Sequence, residues 1–548
     1  MALIDKRIGI LFIAFVSLLG LALARAAYLG SVRAGALGRA AATQQVSNVI
    51  VPAPRGAITD RTGAELAISQ SADDVVADPY LIKNPVSASA EIAPPLGMPQ
   101  LTVFRLLTKP HTGFVLLAHL VPSARAAAIA NLHIAGINLI PQMRRTYPRG
   151  AEAAQVVGLV HGAGDGASGI EYRYNDVLSG TNGLRRIVSD AIGQPISIDD
   201  VHPTAPGKTV ALTIDSSLQQ EVERVMAQVG STYSPKSATA IAVDPGTGAI
   251  LALANWRSAT SGNSSTTGPE DLAIGLNYEP GSTFKAITVA GALQDGLVTP
   301  DSTFDIPPVL QFADRQIHDA ESHGYEMLNV ANILKKSSNI GADLIGMKLG
   351  AKRFDYWVHR FGFGQATGVD LPGEQSGIVQ RWWNYSGSSM GNLPFGQGES
   401  VTPMQMIAAY SAIANDGILR APHIVRSVGG KSASLPRGHR IISPTTATEL
   451  RDMLRGVFAD GGTASGAEIP GYDMAGKTGT ANIAIGGHYS DSAYVASFIG
   501  MVPTDRPRLV VAVVVNQPQG SIFGGSVAAP AFQQIVGWAV PYFGIPPR

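Results

Sequence analysis

The sequence predicts an α+β protein in which an N-terminal membrane helix leads through a non-catalytic module to a C-terminal domain built on one antiparallel sheet covered by helices. Three observations predict it. Ile8–Ala24 is an uncharged apolar run, at the short end of what crosses a bilayer. Composition turns Pro-rich at His202–Gly207, as a linker does. Beyond that point, turn signals at Asp244–Gly248 and Pro503–Pro507 each separate two strand-like runs, at opposite ends of a mainly helical stretch. Strands at both ends of a domain close into one sheet only if distant segments pair.

The length of 548 residues exceeds a single core. Lys+Arg and Asp+Glu both total 41, so the basic excess of a nucleic-acid binder is missing. There are no cysteines, which excludes disulfides, thiolate catalysis and Cys-based zinc sites together.

Taken in order, Lys6 and Arg7 precede the apolar run, so the positive-inside rule keeps the first residues in the cytoplasm and sends the rest outward. A cleaved signal peptide is the rival reading. The run is long for one, and Arg25–Leu29 continues as a helix with an aromatic, Tyr28, at the interface, which favours an uncleaved anchor. Arg55–Ala67 reads as a hairpin about Asp60–Gly63. Residues 95–135 read as helices with polar breaks. Arg145–Gly150 and Gly169–Gly180 carry no obvious catalytic group and read as framework. Thr209–Ile214 is a strand, and Asp215 and Ser216 offer capping oxygens to a helix through Gln219, Val222 and Val225. Thr239–Val243 pairs with Ala249–Leu253, Tyr494–Met501 with Leu509–Val515, and a last helix spans Phe532–Val540.

The chemistry-bearing residues lie between the hairpins. Ser282 follows Glu279-Pro280-Gly281 and opens an apolar helix, where free backbone N–H groups favour developing negative charge. Lys285 falls on the same face one turn along, and a desolvated lysine can be neutral enough to take a serine proton. Ser-x-x-Lys alone more often marks a capping serine beside a solvated lysine. Ser337-Ser338-Asn339 places a hydroxyl and a carboxamide on one helical turn, able to relay a proton and hold an amide. The other Ser-x-Asn, Ser261-Gly262-Asn263, lies in a polar loop without an apolar frame. Lys477-Thr478-Gly479-Thr480 sits in a strand: Gly479 permits close approach of a substrate backbone, Thr480 offers N–H and hydroxyl, and Lys477 supplies positive charge.

The ordered set Ser-x-x-Lys, Ser-x-Asn, Lys-Thr-Gly resembles that of penicillin-binding proteins and class A β-lactamases. Over nearly its whole length the chain resembles a class B penicillin-binding protein. Arg55–Ala67, Arg145–Gly150 and Gly169–Gly180 are similar to the family's pedestal motifs. Glu279–Lys285, Ser337–Asn339, Phe395–Gly398 with Val401–Pro403, and Gly476–Ala481 are similar to its transpeptidase motifs. The resemblance implies a cytoplasmic tail (1–7), a transmembrane anchor (8–29), an elongated α/β pedestal (30–205) and a transpeptidase domain (206–548) with a sheet of about five strands.

The resemblance also implies roles. Ser282 attacks the penultimate D-Ala carbonyl of a peptidoglycan stem peptide ending in D-Ala-D-Ala, with Lys285 as base. Ser337 and Lys477 pass the proton to the leaving amine, and Asn339 holds the substrate amide. Backbone N–H groups of Ser282 and Thr480 form the oxyanion hole, and the Thr478 and Thr480 hydroxyls bind the carboxylate. β-Lactams would acylate the same serine, and neither metal nor cofactor is implied. The segment Asn516–Gly520 with Phe523–Pro530 resembles the septal branch more than the elongation branch. That implies a SEDS-family glycosyltransferase and other division-complex membrane proteins as partners in the inner membrane. Asn482 departs from the Gln or Lys frequent after Gly-Thr-Ala, and the cytoplasmic tail is very short.

Other readings fit less well. Gly387-Ser388-Ser389-Met390-Gly391 matches a nucleophile elbow but lacks a strand before it and a helix after it. His318 and His323 are five apart, off a common helical face, so a polar loop fits better than a metal site. A β-lactamase would need a water-activating base and would not carry so long an N-terminal module, and a bifunctional class A protein would show glycosyltransferase motifs in that module. A drug sensor would bring more membrane helices, and the intact motif trio argues against a non-catalytic division scaffold.

Overall fold

The computed structural model describes residues 2–35, 46–162, 164–189, 195–258 and 271–547; Ser261–Asn263 lies outside them. The first helix, Ala2–Ser31, contains a 26-residue span, Lys6–Ser31, long and apolar enough to cross a membrane. Its apolar side chains, Phe12 and Leu21 among them, are exposed all round, as a lipid-facing helix requires.

The contacts sort the chain into two compact units that do not follow its linear order. One comprises Met1–Pro54, Gln70–Arg144 and Gly180–Gly207; the other comprises Arg55–Ser69, Arg145–Ser179 and Lys208–Arg548. In the first, Val46–Val51, Gly183–Ser189 and Pro195–His202 form an antiparallel three-stranded sheet. Helices Pro85–Leu96, Gln100–Leu107 and Ser123–Ala130 pack about Ile92, Val103, Leu107 and Ile129.

The stretch 95–135, expected to hold helices with polar breaks, also contains a strand, Val115–Pro122, paired with Ala72–Ala77. Its Val115, Leu117 and Val121 are buried while Leu116 is exposed, so it alternates in space. Apolar residues on both faces hide that period in the sequence, and a partner some 45 positions away decides the conformation.

In the second unit the hairpin about Asp60 forms as expected. Asp60 Oδ1 accepts from the N–H groups of Thr62 and Ala64 and from the Thr62 hydroxyl, all at 2.8 Å. Arg55, Arg145 and Glu171, from the three framework motifs, form one buried cluster. Glu171 accepts from Arg55 Nε at 2.5 Å and from Arg145 Nε at 2.6 Å.

The five-stranded sheet runs in the order Ala249–Arg257, Ser237–Asp244, Leu509–Asn516, His488–Val502, Ala475–Ile485, antiparallel throughout. Alternation assigns its two faces. Ala240, Ala242, Val511 and Val513 meet one cluster with helices Ser216–Tyr233 and Gly524–Tyr542. Ile241, Val243, Val510 and Ala512 meet the other, which contains the wholly buried helix Pro403–Ala414. Asp215 caps Ser216–Tyr233 through the N–H groups of Ser217 and Leu218, as expected. The last helix begins at Gly524, eight residues before its expected start, and only glycine fits there, since a Cβ would lie 2.3 Å from the Ser497 carbonyl oxygen and 2.4 Å from that of Gly479.

Candidate active site

Ser282 lies in a 3-10 turn, Gly281–Phe284, that runs into the helix Lys285–Gln294. The turn is pinned from three sides. Gly281 N–H donates to Gly396 O at 2.9 Å, Tyr410 Oη–H donates to Thr283 O at 2.7 Å, and Thr283 Oγ1–H donates to Pro280 O at 2.7 Å. Phe284 anchors it beneath, its ring 5.1 Å from that of Phe363. Gly281 is left-handed (φ +54°), with the backbone of Thr480 and the methyl of Ala481 about 3 Å from where a Cβ would stand. Ser282 itself remains partly exposed among buried neighbours.

Lys285 is completely buried. Its Nζ donates to Asn339 Oδ1 at 2.7 Å, to the Ser337 carbonyl at 2.5 Å and to Ser337 Oγ at 3.3 Å. Burial drives its proton affinity down to about 7, and the nearby carboxylates of Asp319 and Asp343 oppose that fall only in part.

Ser337–Asn339 does not occupy one helical turn, as the sequence suggested, but the joint between two helices. Ser337 ends Val330–Lys336 in the left-handed region (φ 63°), and Ser338 caps Asn339–Leu349, its hydroxyl accepting from Gly341 N–H at 2.9 Å. The reversal turns Ser337 and Asn339 together onto Lys285 and buries Ser338 between them.

Asp319 holds that joint, and no motif in the sequence assigns it that part. Its carboxylate accepts from Asn339 N–H at 2.5 Å, Ile340 N–H at 3.0 Å and the Ser338 hydroxyl at 2.6 Å. The only trace in the sequence is its place in the polar run His318–His323. Among the described residues no group of three His, Cys, Asp or Glu side chains is placed to hold a metal. The Ser388 elbow is loop and 3-10 turn, with no strand before it.

Lys477–Thr480 lies on Ala475–Ile485, the edge strand of the sheet. Lys477 is completely buried, its Nζ donating to Thr478 O at 3.1 Å, and burial together with the charge of Lys285 lowers its proton affinity well below that of a free lysine. Gly479 is crowded by the chain itself: an added Cβ would lie 2.3 Å from Ser497 Oγ, 3.0 Å from Thr283 Cγ2 and 3.1 Å from Pro280 O. Thr478 Oγ1 pairs with Thr463 Oγ1 at 2.8 Å, and Thr480 Oγ1 accepts from Gly524 N–H at 3.1 Å. The three motifs thus converge, bringing a serine, two buried amines and an open strand edge together.

Residues 238–537 match the family described as the penicillin binding protein transpeptidase domain, and residues 50–212 match the penicillin-binding protein dimerisation domain. The chain belongs to the class B penicillin-binding proteins. Penicillin-binding protein PbpB of Mycolicibacterium smegmatis is 33% identical to this penicillin-binding protein, over 94% of this chain and 87% of that one. Peptidoglycan D,D-transpeptidase FtsI of Escherichia coli is 32% identical over 93% and 86% of the respective chains. The crystal structure of penicillin binding protein 3 from Mycobacterium tuberculosis in complex with aztreonam superposes with a TM-score of 0.71 at 30% identity, covering 91% of this chain and 98% of that one.

Proposed function

We propose that this penicillin-binding protein is a peptidoglycan D,D-transpeptidase that cross-links stem peptides through an acyl-enzyme on Ser282. The observation that carries the reading is the state of Lys285. It is a fully buried amine one turn from Ser282, with a proton affinity near 7 and its nitrogen held by Ser337 and Asn339. Such an amine is free base for much of the time at neutral pH, which a serine hydroxyl needs in order to attack.

In the proposed reaction Lys285 accepts the Ser282 proton as Oγ bonds to the penultimate D-Ala carbonyl carbon. Negative charge on the carbonyl oxygen meets the N–H groups of Ser282 and Thr480. The proton passes by way of the Ser337 hydroxyl and the Lys477 amine to the departing nitrogen. The C–N bond breaks and terminal D-Ala leaves. An amine of a neighbouring strand then attacks the ester, and the steps reverse to restore Ser282–OH. The donor peptide extends along the edge strand Ala475–Ile485, where backbone groups are open to a further strand. Asn339 and Gly479 position it, and the Thr478 and Thr480 hydroxyls receive its carboxylate. Thr480 Oγ1 takes the Gly524 N–H, which leaves its own O–H to donate.

β-Lactams acylate the same oxygen in this reading. The anchor Lys6–Ser31 holds the chain in the cytoplasmic membrane with the catalytic unit outside, and the likeness to FtsI and PbpB favours septal wall synthesis with a SEDS-family glycosyltransferase as partner. The test is covalent labelling by fluorescent penicillin. The wild type should label and Ser282→Ala should not; labelling of the alanine variant at this site would refute the nucleophile. Depletion rescued by Ser282→Ala with normal division would instead leave a scaffold.

A further inference from the structure

The loop that pins the Ser337–Asn339 joint carries a titratable group that none of these steps uses. Asp319 Oδ1 is taken by the N–H groups of Asn339 and Ile340, while Oδ2 takes the Ser338 hydroxyl and faces His323 Nε2 at 3.1 Å. The other ring nitrogen, Nδ1, lies 2.6 Å from the carbonyl oxygen of Gly324. Carbonyl and carboxylate oxygens only accept, and a neutral imidazole has a single N–H to give. Both contacts are made at once only by the doubly protonated ring. Its side chain is 18% exposed, so it exchanges protons with solvent.

We propose that His323 is a pH-sensitive positioning residue whose imidazolium, by donating to Asp319, holds the Ser337–Asn339 joint against Lys285 and lets go when the ring loses its proton. This rests on the reading of Ser282 and Lys285 as nucleophile and base. Two consequences of deprotonation act in the same direction. A ring that keeps its bond to Gly324 presents a lone pair to Asp319, so the carboxylate loses a donor and gains a repulsion. Loss of the positive charge also leaves Asp319 freer to stabilise the ammonium form of Lys285, the form that cannot take a proton.

The charged groups around the pair are few. His323 faces Asp319 on its own loop and, at 4.0 Å, Glu326 of the strand Glu326–Asn329, which is itself paired at 2.6 Å with Lys336 of the helix Val330–Lys336. Asp319 faces Lys285 and, beyond it, Asp343. The bond to Gly324 O and the charges of Asp319 and Glu326 raise the proton affinity of His323 above that of a free imidazole, so the imidazolium persists towards neutral pH.

The experiment is the rate of covalent labelling of the full chain by fluorescent penicillin between pH 5.5 and pH 9, with Ser282→Ala as the blank. The wild type should give a bell: a rising limb as Lys285 loses its proton, and a several-fold fall as His323 loses its own. His323→Gln is neutral at every pH and His323→Lys stays charged across the range; each should keep the rising limb and lack the fall. Asp319→Asn should lower the rate about tenfold or more at all pH values, the loss expected for a buried charged acceptor. A wild type without the alkaline fall, or a fall that persists in both His323 variants, overturns the proposal. Labelling of the Ser282→Ala blank would instead overturn the nucleophile, a separate failure. Simple loss of loop packing would lower the melting temperature of the variants without erasing a limb of the profile.

Discussion

Lys285 Nζ and Asn339 Oδ1 lie 2.7 Å apart, which ties the helix following Ser282 to the first residue of the helix Asn339–Leu349. The bond fixes where the amine sits without adding charge beside it, since a carboxamide is neutral. Burial is therefore left to push the proton off the lysine, and the position of the amine is set independently of its proton affinity.

Replacing Lys285 by alanine should slow penicillin acylation by roughly 10²–10⁴-fold, the span of a lost general base. Lys285→Arg should fare no better, because a guanidinium stays protonated and cannot accept the Ser282 proton. Stopped-flow labelling with intact far-UV circular dichroism checks both, and an active arginine variant would contradict the role of base.

The pH dependence follows from the direction of the shift. Lys285 holds its proton in the folded protein only below about 7, against an ordinary value of 10.5. Acylation should therefore fall to about half near pH 7 on the acid side and about tenfold for each further unit below it. A rate that keeps rising to pH 10 would mean that the amine is not desolvated in solution.

Gly479→Ala should leave the unit folded and slow acylation about tenfold or more. The new methyl would stand 2.3 Å from Ser497 Oγ and near 3 Å from Thr283 and Pro280, so the edge strand must draw away from the Ser282 turn. A displacement of that order at a reacting pair is enough to cost such a factor. Unchanged labelling would show that the strand yields elsewhere.

Glu171→Gln tests the buried cluster. Arg55 and Arg145 would face each other with no counter-charge, and breaking a buried pair from one side costs about 3–5 kcal/mol. The unfolding free energy from urea titration should fall by that amount; a loss below about 1 kcal/mol would place the cluster in the class of exposed pairs.

By itself the sequence determined whatever is local or alternates with a clean period. That covers the apolar anchor, the hairpin about Asp60, the capped helix after Asp215, the two hairpins of the sheet, and the order of the motifs bearing Ser282, Ser337–Asn339 and Lys477. Tertiary structure alone decided what depends on a distant partner. Val115–Pro122 became a strand because Ala72–Ala77 lay ready to pair with it. Gly479 proved to be needed for packing against Thr283 and Pro280 of its own chain, whatever it also offers a substrate. Ser337 ends one helix in the left-handed region, and Asp319, eighteen residues upstream, accepts from the first N–H groups of the next. Hydrophobic period and turn chemistry are written within a few residues of where they act. A carboxylate that satisfies backbone N–H groups across a fold leaves no such mark, because any exposed loop in the sequence looks the same until its neighbours are known.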